Sequence, residues 1–439
     1  MGIDIGTTSV KAVAADEDGN VLARTRVAHD LVTIAPNQLE HRPDQAWRDG
    51  VLEALAVVAA GHEVAGIDVS AMVPSMCAVD ADGNALTPGL LYGDSRAGVE
   101  VSADPSQSGE SVGMLRWCAS QAPDAASFWP AQAMANHALC GQAVLDTTSA
   151  MTSVPLFDYV GWDAEIAASA GATPDQLPRI VPGNERAGTV ADGNPAAGAA
   201  LGGGTVDALA EQLVAGADED GDVLVILGAT LISWAVIPEW TDVDGLWTIP
   251  HSAPGKSLIG GPSNAGGLFL DWVRRLAGDA TPADDPSSVP VWTPYPRGER
   301  VPLHDASRRA GLHDLDLTHG RGAMVRAAHE AGGFVIRHQL DLAGLSPRRI
   351  VATGGGTRSS GWLQAIADAT RLPVDVVATS EGAALGAAFQ ARVCARLETD
   401  ANDARRWARI RHTVEPDPAW VDPVAERYQR FRHLTSLDP

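Results

Sequence analysis

The run from Gly2 to Asn20, GIDIGTTSVKAVAADEDGN, constrains this chain more than any other stretch. A short apolar strand carrying Asp4 leads into Gly6 and three hydroxyls, Thr7, Thr8 and Ser9. A second apolar strand, Val10 to Ala15, then runs to the turn Asp16 to Asn20. This pattern reads as a β-hairpin whose first turn can hold a phosphate. Gly6 lets backbone N–H groups approach an anion, the hydroxyls add donors, Lys11 adds a compact positive charge, and Asp4 suits a hydrated Mg²⁺. An ordinary hairpin with a polar turn fits the same residues equally well, so the rest of the chain decides.

A length of 439 residues favours two or three domains, each able to bury its own core. No apolar run reaches the length of a membrane span, and no basic-then-apolar leader opens the sequence, so a cytoplasmic protein is expected. Cys77, Cys118, Cys140 and Cys394 lack CxxC spacing and read as reduced structural thiols. The formal charge of −23, with Lys11 and Lys256 the only lysines, disfavours nucleic acid and anionic membranes as partners. An anionic nucleotide therefore has to be held by local donors and Mg²⁺.

Along the first half, Val21 to Val27 reads as a strand, and Arg42 to Ala60 as a helix with apolar positions Trp47, Val51, Leu55 and Val58. Strands follow at Val64 to Met72 and from Met76, then Leu90-Leu91-Tyr92 leads to Gly93-Asp94-Ser95-Arg96. Val99 to Gly113 reads as a loop and Met114 to Cys140 as helical. The small-residue run Ala197 to Gly204 brings Asp207 to the start of a helix. Gly216 to Asp222 is the most plausible linker.

Past the linker the opening pattern recurs. Val225 to Thr230 repeats strand, glycine and hydroxyl, and Ile232 to Ile237 is again apolar, which implies a duplication. Ile226 stands where Asp4 stood, so only the first half carries the metal-side acid. Further on, Ile350 to Ser360 reads as strand, glycine loop and helix start, with a helix from Gly361 to Thr370. Such an element binds nucleotides because the loop admits the backbone and the helix end favours anions. Three glycines alone are more often a tight turn. Ser380 to Ala388 gives a helix with a small face that suits close packing beneath that loop.

Gly255-Lys256-Ser257 resembles the end of a Walker A loop, but Pro250 occupies the first glycine position, and no G-x-G-x-x-G opens a βαβ unit. Trp234, Trp247, Trp272 and Trp292 read as core. Arg297, Glu299 and Arg300 read as a structural turn, and His251, His304, His313, His319, His329 and His338 show no metal spacing.

In the order DIGTTSVK, LLYGDSRA, GGGTVDALA, ILGAT, PYPRGERVP, TGGGTRSSGWLQAIADATRLPV and EGAALGAAFQA, the chain resembles the FGGY family of carbohydrate kinases, its xylulokinase-like branch most. The likeness runs from Gly2 to about Ala391, and its last motif is the most specific. It implies an α/β fold of two ribonuclease H-like (actin-like ATPase) domains with a cleft between them, where ATP and sugar meet. Residues 1–216 would form the N-terminal FGGY domain, with the sugar site and catalytic base, and 217–439 the C-terminal, nucleotide-binding domain. The resemblance assigns Asp4 to Mg²⁺, and Gly6, Thr7, Thr8 and Lys11 to the phosphates. It assigns Gly228 and Thr230 to the second phosphate hairpin, and Gly354, Gly355, Gly356 and Ser359 to the adenosine. Asp207 would be the catalytic base beside the acceptor hydroxyl. A helix N-cap is the structural alternative for that residue. Val73, Pro74, Asp94 and Arg96 fall in the sugar-side motifs.

Departures from the family pattern concentrate on the acceptor side. Pro74 stands where a hydrogen-bonding His or Glu is usual, Tyr92 where Trp is usual, and Ala229 where Thr is usual. The expected activity is ATP-dependent transfer to a primary hydroxyl of a ketose or polyol, with xylulose-like substrates first. A water-using phosphatase or ATPase and a catalytically weak sugar- or nucleotide-binding regulator are the alternatives, and a homodimer is compatible with each.

Overall fold

The opening run forms the expected hairpin in a computed structural model that describes residues 1–35, 37–98, 110–251, 255–378 and 381–435. Strand β1 (Gly2–Ile5) pairs antiparallel with β2 (Ser9–Ala15), and β2 with β3 (Val21–Ala28). Every residue of β1 is buried, so its apolar side chains serve two faces of a covered sheet. The expected helix opens as a π-helical turn, Asp44–Asp49, and becomes α1 at Gly50–Ala59. Its stripe of Trp47, Val51, Leu55 and Val58 is wholly buried against the sheet.

Strand β4 (Gly66–Ala71) runs parallel to β1, and the short β5 (Thr205–Val206) runs parallel to β4. A hairpin followed by parallel strands is the ribonuclease H-like arrangement. A second sheet carries Gln38–His41, Gly89–Leu91, Ser75–Val79 and Ser127–Trp129. The helical stretch expected over Met114 to Cys140 is interrupted there. It splits into α2 (Glu110–Gln121), the strand Ser127–Trp129 and α3 (Ala131–Cys140). Pro123 and Pro130 bound the break, and Phe128 and Trp129 pair across to Ala78 and Cys77, so sheet pairing overrides helical periodicity. Of the loop expected over Val99 to Gly113, residues 99–109 lie outside the described residues, and α2 begins at Glu110.

The chain divides into two compact units, Met1–Val214 with Glu381–Trp407, and Ala215–Ser380 with Ala408–Pro439. A single division near Gly216 accounts for the first crossing only. The returning helix Gly382–Cys394 packs on β1 and β4 of the first unit. A methyl on Gly2 would lie 1.8 Å from the Ala384 carbonyl oxygen, and one on Gly386 1.9 Å from that of Ala210. Only hydrogen fits at both positions, so backbone meets backbone.

The second unit repeats the plan. Strand β6 (Asp222–Leu227) pairs antiparallel with β7 (Leu231–Ile237), β7 with β8 (Ser257–Ser263), and β6 runs parallel to β9 (Arg349–Thr353). The register pairs Leu227 with Leu231, whereas the first hairpin pairs Ile5 with Val10. The second turn is therefore one residue shorter. The core of this unit is built on Val223, Val225, Phe334, Ile350, Ile366 and Tyr428.

No helix among the described residues is long and apolar enough to cross a membrane. All four cysteines are free thiols. The described residues contain no group of three or more His, Cys, Asp or Glu able to hold a metal.

Candidate active site

Sheet register brings the two acids of the first unit to one edge. Asp4 pairs with Ser70, and Ser70 with Thr205, so the three lie in a row across β1, β4 and β5. Asp207 follows two residues later, just past the carboxyl end of β5, where parallel strands present their ligand-facing edge. Asp207 opens α4 (Asp207–Ala215), and its Oδ1 accepts from the Ala208 N–H at 2.7 Å. The helix-start contact and the proximity to Asp4 therefore coexist.

The electrostatics follow from that placement. Lys11 Nζ donates to Asp4 Oδ2 at 3.3 Å, and the Asp4 carboxylate, despite partial burial, raises the Lys11 ammonium pKa. Burial first, then the negative charges of Asp4 and Glu211, push the Asp207 carboxyl up to about 7, against the opposing Ala208 N–H and Lys11. A carboxyl poised there exchanges a proton readily at neutral pH. The Ser70 hydroxyl lies 3.4 Å from Asp4 Oδ1.

The turn at Gly6 closes with its N–H donating to Ser9 O at 3.0 Å. Thr7 is half-buried and Thr8 exposed, whereas Ser9 is buried at the start of β2, its Oγ accepting from Arg26 Nε at 3.0 Å. A methyl on Gly6 would stand 3.8 Å from Asp4 Oδ2 and fill the space over that carboxylate. Three residues that sequence reasoning left out of the site hold this turn. Tyr92 Oη lies 3.1 Å from Thr7 Oγ1, His41 Nε2 lies 2.8 Å from Thr7 O, and Trp47 Nε1 donates to His41 Nδ1 at 3.0 Å. The indole N–H can only donate, so His41 Nδ1 accepts and the Nε2–H donates to Thr7. Burial, then His29, lowers the His41 pKa to about 4, which keeps this tautomer neutral.

The sugar-side residues divide. Val73 and Pro74 line a pocket with Ser75, Phe128, Gln132, Leu156 and Trp162. Asp94 is turned inward: its oxygens accept from Leu39 N at 2.9 Å, from Arg96 N at 2.8 Å, and from Arg96 Nε and Nη2 at 3.0 and 2.7 Å. Arg96 also reaches Glu40 at 2.6 Å and lies over the Trp117 ring. This pair staples the turn after Leu91.

In the second unit, Ile226 pairs with Thr353, which sets Gly228 and Gly355 at the carboxyl ends of adjacent parallel strands. Gly228 N–H donates to Thr230 O at 3.0 Å, while Gly267 N–H and Leu268 N–H donate to Gly228 O and Ala229 O. Gly354 has φ +86°, and a methyl there would lie 2.9 Å from Leu227 O. Ser359 caps the helix Ser360–Thr370 by accepting from Trp362 N–H at 3.4 Å. Glycine turn, glycine loop and helix start thus share one edge of this unit.

Glu299 of the PYPRGER turn accepts from Ser263 Oγ, Asn264 N–H and Arg300 N–H, so it organises the turn as expected. Burial pushes its carboxyl up to about 7.

The donors fit the groups expected of such a site. Asp4 supplies oxygen ligation from a nearly buried carboxylate, with the Ser70 hydroxyl at 3.4 Å and the Asp207 carboxyl close enough to feel its charge. That suits a cation retaining several waters, as Mg²⁺ does. The hydroxyls of Thr7 and Thr8 and the Lys11 ammonium at the Gly6 turn suit a phosphate.

Comparison with known proteins agrees with this layout. The N-terminal domain of the FGGY family of carbohydrate kinases matches residues 1–203, and its C-terminal domain matches 224–395. The chain is 24% identical to the xylulose kinase of Escherichia coli (strain K12), covering 99% of this chain and 98% of that protein. It is 25% identical to the gluconokinase of Bacillus subtilis (strain 168), covering 88% and 86%. The crystal structure of xylulose kinase from Rhodospirillum rubrum superposes with a TM-score of 0.76 at 26% identity, covering 99% and 97%. With both domain types matched in order over most of its length, and two ribonuclease H-like units each carrying a glycine-turned hairpin, the chain belongs to the FGGY family of carbohydrate kinases.

Proposed function

We propose that this carbohydrate kinase transfers the γ-phosphoryl group of ATP to a primary hydroxyl of a ketose or polyol, with xylulose-like acceptors first. The observation that carries the reading is Asp207, held beside Asp4 with its carboxyl pushed up to about 7. On this reading Asp207 takes the proton of the attacking hydroxyl, a contribution of typically ~10²–10⁴-fold. Mg²⁺ would supply charge neutralisation on the phosphates when bound. Asp4 would hold it through water or directly, while Thr7, Thr8 and Lys11 and the Gly6 turn bind and orient the β/γ-phosphates. Gly228 and Thr230 serve the second phosphate turn. Gly354, Gly355, Gly356 and Ser359 bind the adenosine end of the nucleotide, which makes the second unit the nucleotide-binding one. Asp94 and Arg96 act by fixing the turn that carries Tyr92.

The test is coupled ADP release across a panel of ketoses, polyols and aldonates. Turnover that depends on the acceptor supports the reading. An Asp207→Ala variant as fast as the parent eliminates the mechanism, and ADP release unaffected by any acceptor favours a water-using ATPase.

A further inference from the structure

Glu299 is 1% exposed, and three donors occupy its carboxylate. Oε1 accepts from Arg300 N–H at 2.7 Å and from Asn264 N–H at 3.1 Å, while Oε2 accepts from Ser263 Oγ at 2.8 Å. A carboxylate is costly to bury unless its oxygens are bonded, and here both are. The backbone beneath it is pinned as well. Glu299 and Asp305 exchange N–H···O bonds at 2.8 and 2.9 Å, and Val301 N–H donates to Pro262 O at 3.1 Å. The side chain is therefore a fixed point against which the end of β8 is set.

The chain leaving β8 runs straight to the second hairpin. Ser263 Oγ also accepts from Ala265 N–H at 3.0 Å, and Asn264 Nδ2 donates to Gly298 O at 3.0 Å, which fixes the entry to the helix Gly267–Ala277. The leading N–H groups of a helix have no partner within it. Here the first two are spent on the turn: Gly267 donates to Gly228 O at 2.9 Å and Leu268 to Ala229 O at 3.0 Å. A methyl on Gly266 would lie 2.2 Å from the Thr230 carbonyl carbon, and one on Gly267 2.7 Å from Gly228 O, so helix start and turn meet backbone to backbone. In a trans peptide the C=O and N–H point opposite ways. With the carbonyls of Gly228 and Ala229 turned into the helix, the N–H groups of Ala229 and Thr230 are aimed away from it.

We propose that Glu299 is a positioning residue for phosphate binding: through Ser263 and Asn264 it sets the start of the helix Gly267–Ala277, and that start aims the Ala229 and Thr230 N–H groups at the phosphates of the nucleotide. The inference rests on the nucleotide reading of the second unit above and adds to it a residue that acts only through others.

The test compares the full chain with two variants. Glu299→Ala removes all three hydrogen bonds, whereas Glu299→Gln keeps an oxygen for the two amides and an NH₂ for Ser263 Oγ. Calorimetry with Mg²⁺-ADP gives one dissociation constant, displacement of ADP by adenosine gives a second, and melting curves report folding. Glu299→Ala is expected to weaken ADP about tenfold or more while adenosine, which has no phosphate, stays within about twofold. Glu299→Gln is expected to hold both constants within about threefold of the parent. A folded Glu299→Ala that binds ADP like the parent overturns the inference, and so does an equal loss for ADP and adenosine, which is what general support of the unit would give. Glu299→Gln as weak as Glu299→Ala assigns the effect to charge and overturns positioning by hydrogen bonds. Should Glu299→Ala not fold, Ser263→Ala, which cuts one of the two links to β8, decides by the same comparison, with a loss of about threefold or more expected for ADP alone. A parent that binds no ADP overturns the nucleotide reading and this inference with it. One that binds ADP and phosphorylates no acceptor removes the kinase reading and leaves this inference to the variants.

Discussion

The hydroxyl of Tyr92 stands 3.1 Å from Oγ1 of Thr7, which ties the sheet behind the acceptor loop to the turn of the first hairpin. The same threonine is held through its carbonyl by His41, itself oriented by Trp47. A phosphate-binding turn works only if its donors are already aimed, since each donor that has to be ordered on binding lowers affinity. Tyr92→Phe removes one tie and nothing of the ring. A net hydrogen bond of about 0.5–1.5 kcal/mol corresponds to a rise of roughly 2- to 13-fold in KM for ATP. Steady-state kinetics at saturating acceptor check this, with the acceptor KM as the internal control.

His41 provides a second, opposite expectation. With its pKa lowered to about 4, the ring stays neutral across pH 5 to 9 and contributes no limb to the rate profile. On the proposed reading Asp207 does contribute one: as the base its carboxyl must lose its proton to act, so kcat/KM should rise through an acid limb near pH 7. Asp207→Asn should remove that limb together with ~10²–10⁴-fold of rate. A profile measured from pH 5 to 9 on both proteins tests the assignment.

The same shift is a statement about stability. Asp207 has a higher pKa folded than its ordinary 3.8, so the folded state holds this proton more tightly. Its contribution is fully present below about pH 4 and is lost as pH rises through 7. The difference in melting temperature between the parent and Asp207→Asn should therefore move against the parent from pH 4 to 7. Taking the difference cancels Asp68 and Glu299, also raised to about 7, and the neutral buried histidines, whose shifts have the opposite sign.

What could be read along the chain was what local chemistry decides. Glycine turns between apolar strands and the buried stripe of Trp47, Val51, Leu55 and Val58 each depend on a few neighbouring residues. What could not be read depends on partners distant in sequence. Phe128 and Trp129 look helical until Ala78 and Cys77 pair with them. The small face of Gly382–Cys394 promises close packing without saying on what. Trp47 reads as an apolar helix position, and nothing near it shows that its N–H orients a histidine. Glu299 reads as part of a structural turn, and only the folded chain puts Ser263 and Asn264 against its carboxylate. Asp94 and Arg96 carry a sugar-side motif in the sequence, and the fold pairs their charges with each other.

The returning helix makes one of these distant contacts measurable. A methyl at Gly386 would lie 1.9 Å from Ala210 O, a backbone atom that cannot swing away, at the start of the helix that Asp207 opens. Gly386→Ala should cost about 1–3 kcal/mol by overpacking. Chemical denaturation followed by tryptophan fluorescence measures it, with Gly161→Ala, where no atom lies within 4 Å and φ is not positive, as a control without overpacking.

A final expectation concerns the glycine loop of the second unit. Gly354 sits at φ +86°, where a side chain is strained, and its added methyl would press on Leu227 O at 2.9 Å, at the strand end that leads into Gly228. Gly354→Ala must therefore shift the loop, the neighbouring turn or both, and both carry backbone donors for the nucleotide on the proposed reading. Nucleotide affinity should fall by about tenfold or more, while the acceptor-induced melting shift, generated in the first unit, stays at the parent's value. Titration with ADP by calorimetry, set beside melting curves with D-xylulose, separates the two. Loss of acceptor binding together with nucleotide binding would show that the damage is global and that the loop has no separate role.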